Sequence, residues 1–170
     1  MSAAASVAAG PSRFRPIALA ALAAVAVGVL GGLMTDIGPW YESLDKPPWQ
    51  PPNWLFGPAW TAIFALTAAA GVLAWWASET KVKRQNLLIA FLFNAVLNVT
   101  WSLLFFRLRR PDWALFEVFL LWASIVLVIV VCARRRPLAA WLLVPYLLWV
   151  SFAAFLNYEI LRLNPWTAGA

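Results

Sequence analysis

Five apolar stretches constrain this chain more than any other feature. They fall at residues 17–34, 57–77, 86–106, 113–132 and 138–161. Each is close to the roughly 20 residues, rising about 1.5 Å apiece, that cross a hydrocarbon layer about 30 Å thick. Charges collect between them: Arg13 and Arg15, then Asp36 to Lys46, Glu79 to Arg84, Arg107 to Asp112, Arg134 to Arg136, and finally Arg162. A backbone in lipid must satisfy its own hydrogen bonds, so such stretches become helices. The short connections make neighbouring helices antiparallel. The expectation is an all-α membrane protein, a five-transmembrane-helix bundle with its ends on opposite sides of the bilayer.

Composition agrees. The chain has 170 residues, 64% hydrophobic and 12% charged, against about 45–50% and about 25% in soluble domains. That excludes an ordinary soluble domain and a disordered chain. One domain over residues 17–164 accounts for the length, with 1–16 read as a disordered N-terminal tail and 165–170 as a C-terminal tail. The first apolar run is longer than the 7–15 residues or so of a signal-peptide core, and no small-x-small site closely follows Met34, so it is read as a retained helix. Arg13, Arg15, Lys81, Lys83, Arg84 and Arg134 to Arg136 lie on one side, and Lys46, Arg107, Arg109, Arg110 and Arg162 on the other. This bias favours the N-terminus inside. The net charge of +6 comes from these loops and reads as topology signal and contact with anionic lipid, not as a nucleic-acid surface.

The chain has no histidine and one cysteine, Cys132. Imidazole catalysis, the usual zinc and haem ligation, and an internal disulfide are thereby excluded. No metal site and no cofactor site is read from the sequence. Against this stand 12 tryptophans and 12 prolines, more indole than an interfacial belt obviously requires.

The information is concentrated in three places. Residues 40–60 read WYESLDKPPWQPPNWLFGPAW, with Trp40, Trp49, Trp54 and Trp60 set among Pro47, Pro48, Pro51, Pro52 and Pro58. Paired prolines fix φ and remove donors, so an extended, stiff, non-helical connection is expected. It fits an interfacial belt or a lid over the bundle. In the third span Asn94, Asn98 and Trp101 share a face that must point inward, for interhelical hydrogen bonds or for a ligand. In the fifth, Tyr146, Trp149, Ala153 and Asn157 form a stripe, with Pro145 expected to kink the helix. The large Trp149 beside the small Ala153 makes a shelf and a gap, suited to a partner helix or a flat ligand. The first span adds a ridge of Ala20, Ala24, Gly28 and Gly32 that lets a helix approach, within the bundle or from a second copy. Glu117 lies one turn after Trp113 and is expected at the interface, with no second acid or histidine to relay a proton.

These blocks resemble the TspO/MBR family, the tryptophan-rich sensory protein and translocator protein (peripheral benzodiazepine receptor) group. Residues 40–60 are similar to its W-Y-x-x-L-x-K-P-x-W-x-P-P loop. LNVTWSLLFF at 97–106 is similar to its N-x-x-W…F-F, and VPYLLWVSFAAFLNYEILRLN at 144–164 to its P-Y-x-x-W…A…L-N-Y. The resemblance spans about residues 17–164. It implies a five-helix bundle, often a homodimer, binding rigid hydrophobic molecules such as protoporphyrin IX, sterols and benzodiazepine-type drugs. It carries a ligand-binding role onto Tyr41, Trp49, Pro51, Trp60, Phe64, Asn98, Trp101, Trp149 and Ala153. Lys46 is placed to meet a porphyrin carboxylate, and the missing histidine favours a metal-free porphyrin. Leu156, Tyr158 and Arg162 satisfy the loose sterol pattern of the family. Family members have also been proposed to degrade protoporphyrin in light and oxygen through tryptophan radicals, for which Trp60 and Trp149 are the matching positions. A tetrapyrrole or sterol transporter is the remaining alternative. The expected function is a binding protein or sensor for tetrapyrroles that tunes stress or pigment responses.

Overall fold

The computed structural model describes residues 14–167. Its helices are α1 (Phe14–Met34), α2 (Pro39–Glu42), α3 (Asn53–Trp76), α4 (Lys81–Ser102), α5 (Pro111–Ala133), α6 (Pro137–Trp141) and α7 (Val144–Leu163). Five segments are long and apolar enough to cross a membrane: α1, α3, α4 with its continuation to Arg107, α5, and α6 together with α7. This is an all-α, multi-pass architecture, as the apolar pattern requires.

At Pro39 and Pro145 the helix boundaries have one physical reason. A proline within the first turn costs no hydrogen bond, because that turn's N–H groups have no partner inside the helix. Pro39 therefore starts a helical turn inside the segment expected to be extended. Pro145 likewise opens α7 at its second position instead of kinking a longer helix, and α6 ends just before it. Pro58 is different. It lies inside α3, which begins at Asn53, so residues 53–60 of the supposed loop are helix. Only 43–52 remain as connection. At the N-terminus, Phe14 to Pro16 are helical although they were assigned to the tail; residues 1–13 lie outside the described residues. At the other end Pro165–Thr167 forms a 3-10 turn with Thr167 buried, so the chain stays docked further than the C-terminal tail assignment allowed; 168–170 again lie outside.

The fourth connection is tighter than expected. Residues Leu103–Arg107 continue α4 as a π-helical turn, and Arg109 then takes a left-handed φ of 56°. Its guanidinium lies 6.0 Å from the centre of the Trp40 ring. Trp101 and Phe105 stack at 5.3 Å. Turns of this kind re-aim side chains at functional places.

Two ends of the bundle pack differently. Towards the Lys81/Arg135 end, small residues close the helices together, with Ala70, Ala74, Cys132 and Ala139 fully buried among Leu87, Val128 and Leu143. Arg135 ties the loops of that end, donating through Nε to Ser78 Oγ at 3.0 Å and through Nη2 to the Lys83 carbonyl at 2.6 Å. Towards the proline-rich loop, aromatic residues dominate. α1 is peripheral and has no buried residue. It packs mainly on α3 and more lightly on α4. The ridge is thus used within the bundle: at Gly28 a side chain would meet the Phe64 ring at 3.5 Å.

Candidate functional site

A cavity of about 470 Å³ opens in the aromatic half. Its floor and far wall come from α4 and α7: Asn98, Trp101, Ser102, Trp149, Ala153, Leu156 and Asn157. Phe105 and Phe106 of the π turn add to the wall, and α3 supplies Phe56, Gly57, Trp60, Thr61 and Phe64. The near wall is the α1 ridge, Gly28, Gly31 and Gly32, continued by Thr35. The absent side chains there provide the room that aromatic rings on the other helices occupy elsewhere.

The rings are ordered against each other. Trp60 stacks on Phe64 at 5.3 Å and meets Tyr146 edge-on at 6.0 Å. Phe56 meets Trp149 edge-on at 5.7 Å. These are the offset and T-shaped arrangements that ring quadrupoles prefer.

Behind the rings runs a column of neutral polar pairs. Asn94 Nδ2 donates to Ser124 Oγ at 2.9 Å, and Asn98 Nδ2 to the Tyr146 hydroxyl at 3.0 Å. Trp101 Nε1 donates to Asn157 Oδ1 at 3.3 Å, while Asn157 Nδ2 donates to the Pro111 carbonyl at 2.9 Å. The amides bond across helices, and Asn98 and Asn157 also line the cavity. Among the described residues, no charged side chain lines it. Glu117 is buried rather than interfacial, about 9 Å into α5, and neither of its oxygens has a hydrogen-bond partner among the described residues. Such an orphan is rare and costly.

The roof is polar and weakly tied. Tyr41 donates to Asn53 Oδ1 at 3.4 Å and accepts from Gln50 Nε2 at 3.2 Å. Burial pushes the Tyr41 phenol pKa up, while the Gln50 hydrogen bond works the other way. The root of the loop is held more firmly. Asn164 Oδ1 accepts from Asp45 N at 2.9 Å, and Asn164 Nδ2 donates to the Asp45 carbonyl at 2.8 Å.

Of the residues singled out in the sequence, the fold brings Tyr41, Trp60, Phe64, Asn98, Trp101, Trp149 and Ala153 to one cavity. It does not bring Trp49 and Pro51 there. Trp49 stacks on Phe155 at 5.1 Å and touches Phe152 at 5.9 Å, clasping the loop to α7. Lys46 turns back to the Glu42 and Leu44 carbonyls and lies over the Tyr41 ring at 4.6 Å, so it does not point into the cavity. The sterol pattern is divided: Leu156 lines the cavity, whereas Tyr158 and Arg162 are exposed on the opposite face, Arg162 paired with Glu159. The glycine wall, Phe56, Phe105 and Phe106 were not singled out as lining. The spacing of the glycines was visible, but read as helix packing it carries no indication of a void.

The sequence model of the TspO/MBR family matches residues 19–163. This chain belongs to the TspO/MBR family. Among curated relatives of this TspO/MBR protein, the Tryptophan-rich protein TspO of Chlorobaculum tepidum is 43% identical over 147 residues, covering 83% of this chain and 90% of that one. The protein of the same name from Archaeoglobus fulgidus is 38% identical, covering 84% and 93%. The human Translocator protein is 35% identical over 135 residues, covering 76% and 78%. Membership and the five apolar helices together make it an integral, multi-pass membrane protein.

Proposed function

We propose that this TspO/MBR protein is a membrane receptor for flat, rigid, hydrophobic molecules, first among them metal-free tetrapyrroles of the protoporphyrin IX type. The observation that carries this reading is the cavity: about 470 Å³, walled by indole and phenyl rings, with neutral polar groups and no charge along its lining. Volumes of about 300–1,000 Å³ with mostly apolar walls and a few fixed polar groups suit small-molecule ligands. A macrocycle offers a large π face to Trp60, Trp101 and Trp149. Its carboxylates would remain at the roof, where Tyr41, Gln50 and Asn53 offer hydrogen bonds, because an unpaired charge inside costs too much. With no histidine in the chain, stacking and shape replace axial ligation. Sterols fit the same apolar space less fully, since two residues of their pattern face outward. The family likeness also supports a homodimer, which cross-linking in lipid would test.

The test is a titration of the protein in lipid nanodiscs with protoporphyrin IX, read by tryptophan quenching. Saturable quenching is expected, weakened by Trp60→Phe and by Trp149→Phe; unchanged affinity in both variants would overturn the assignment. A second reading, light- and oxygen-dependent degradation of the porphyrin, is favoured by one observation: Trp60 and Trp149 line the same cavity. Porphyrin absorbance followed in light and in darkness separates the two. Equal loss with the wild type and with the double Trp→Phe variant would eliminate the enzymatic reading.

A further inference from the structure

The cavity is not the only hollow that Trp149 touches. A second, shallow groove runs along the outside of the bundle between α3 and α7, lined by Ala59, Ile63, Pro145, Leu148, Trp149 and Phe152. Its lining side chains are apolar or aromatic and belong to membrane-spanning helices, so it faces the depth of the hydrocarbon layer. Trp149 is the one residue common to the groove and the inner cavity. Its indole is therefore a wall shared by the groove and the binding space, a partition between them.

Three features make that partition a movable one. First, α3 and α7 contact each other only sparsely, so the ring fills a gap that backbone packing does not close. Second, the Trp149 indole N–H has no hydrogen bond among the described residues, whereas two other tryptophans of the spans are pinned. Trp101 donates to Asn157 at 3.3 Å and Trp122 to Ser151 at 2.9 Å. Third, the ring's neighbours allow it to turn. Phe56 and Phe152 each touch it at 5.7 Å through ring contacts that carry no directional bond, and Ala153, one turn on, leaves space on the cavity side. The roof, by contrast, is polar, with Tyr41, Gln50 and Asn53 joined by hydrogen bonds of 3.2 and 3.4 Å.

We infer that the α3–α7 groove is a lateral portal, through which a hydrophobic ligand passes between the bilayer and the cavity, with Trp149 as its gate. The inference rests on the binding function proposed above and adds the route. A molecule already dissolved in hydrocarbon then reaches the site without crossing water or opening the loop, which stays fastened at Asp45 by Asn164 and at Trp49 by Phe155.

A portal has a kinetic signature that a binding residue lacks. Narrowing it slows entry and exit by the same factor and leaves the equilibrium constant in place. The variants are Ala59→Phe and Leu148→Phe, which narrow the groove from its two sides at positions that do not themselves line the cavity. Leu92→Phe, on the lipid face of α4, is the control. Protoporphyrin IX binding to the full chain in nanodiscs is followed by stopped-flow porphyrin fluorescence, and dissociation by transfer to ligand-free vesicles. In each groove variant both rate constants should fall by about fivefold or more while Kd stays within about twofold; Leu92→Phe should leave both rates unchanged. Thermal unfolding midpoints confirm that each variant is folded, and either groove variant alone suffices. Wild-type rates in a folded groove variant would overturn the portal, as would a change in Kd that accounts for the whole change in koff. Absence of saturable binding in the wild-type protein would overturn the binding function itself, and the portal with it.

Discussion

The two ends of this bundle solve the same packing problem in opposite ways. At the Arg135 end, alanines set at contact positions let helices close until nothing remains between them; Ala70, Ala74 and Ala139 are fully buried. At the loop end, rings as large as Trp60, Trp101 and Trp149 hold α3, α4 and α7 apart, and the glycines of α1 leave the opposite wall bare. Lipid gives helices little hydrophobic reason to associate, so van der Waals fit and interhelical hydrogen bonds decide stability. Close-packed small residues supply that fit at one end. Large rigid rings cannot fill the other end completely, and the remainder is the cavity. Close packing is concentrated where side chains are small, and open volume where they are large.

The sharpest way to break this comparison is to add volume at both ends. Ala74→Leu overfills the closed end and should cost roughly 1–3 kcal/mol of stability, read as a lowered unfolding midpoint. Ala153→Leu projects into the cavity and should leave the midpoint near the wild-type value while weakening porphyrin binding. Equal destabilisation by the two would mean that the cavity half is as tightly packed as the other.

A smaller effect is expected in the polar column between the ends. Asn157→Leu removes the acceptor of Trp101 Nε1 and the donor to the Pro111 carbonyl. Two interhelical bonds averaging about 0.6 kcal/mol each are lost, roughly 1.2 kcal/mol together, so the midpoint should fall by an amount at the low end of the range for Ala74→Leu. Asn157→Asp is the companion variant: it keeps the acceptor and introduces a charge, and it should be worse than Leu if the column is sealed from water.

The smallest effect concerns the roof and appears only in alkali. The Tyr41 phenol pKa is raised above the ordinary 10.0 by burial. As pH climbs past that value, the unfolded chain loses the proton before the folded one. The folded state then holds more protons, and stability falls with rising pH. Tyr41→Phe should remove this part of the alkaline slope in a midpoint-against-pH series; an unchanged slope would show that the phenol is not sealed by the roof.

Much of this was legible in residue order. Apolar runs bounded by charge define the five crossings, because hydrogen-bond satisfaction in hydrocarbon leaves the backbone no other local choice. The inward faces of α4 and α7 were equally readable, since an amide at membrane depth must turn from lipid. The helix start differs from the expectation at Pro145, where a proline's effect depends on its place in the first turn, and α3 runs through Pro58; the residue type alone reveals neither. Glu117 was misplaced for a related reason: distance from a helix end says how deep a residue lies, but not whether a neighbouring helix covers it.

The sequence by itself determined a tryptophan-rich, five-crossing membrane protein without histidine, because those properties are summed along the chain or set within one helix. Only the tertiary structure decided which indoles meet. It put Trp60, Trp101 and Trp149 around one space, sent Trp49 to clasp the outside of α7, and turned a glycine ridge into the wall of a cavity. A void belongs to no residue; it is what several helices fail to fill together, and it exists only once their packing is known.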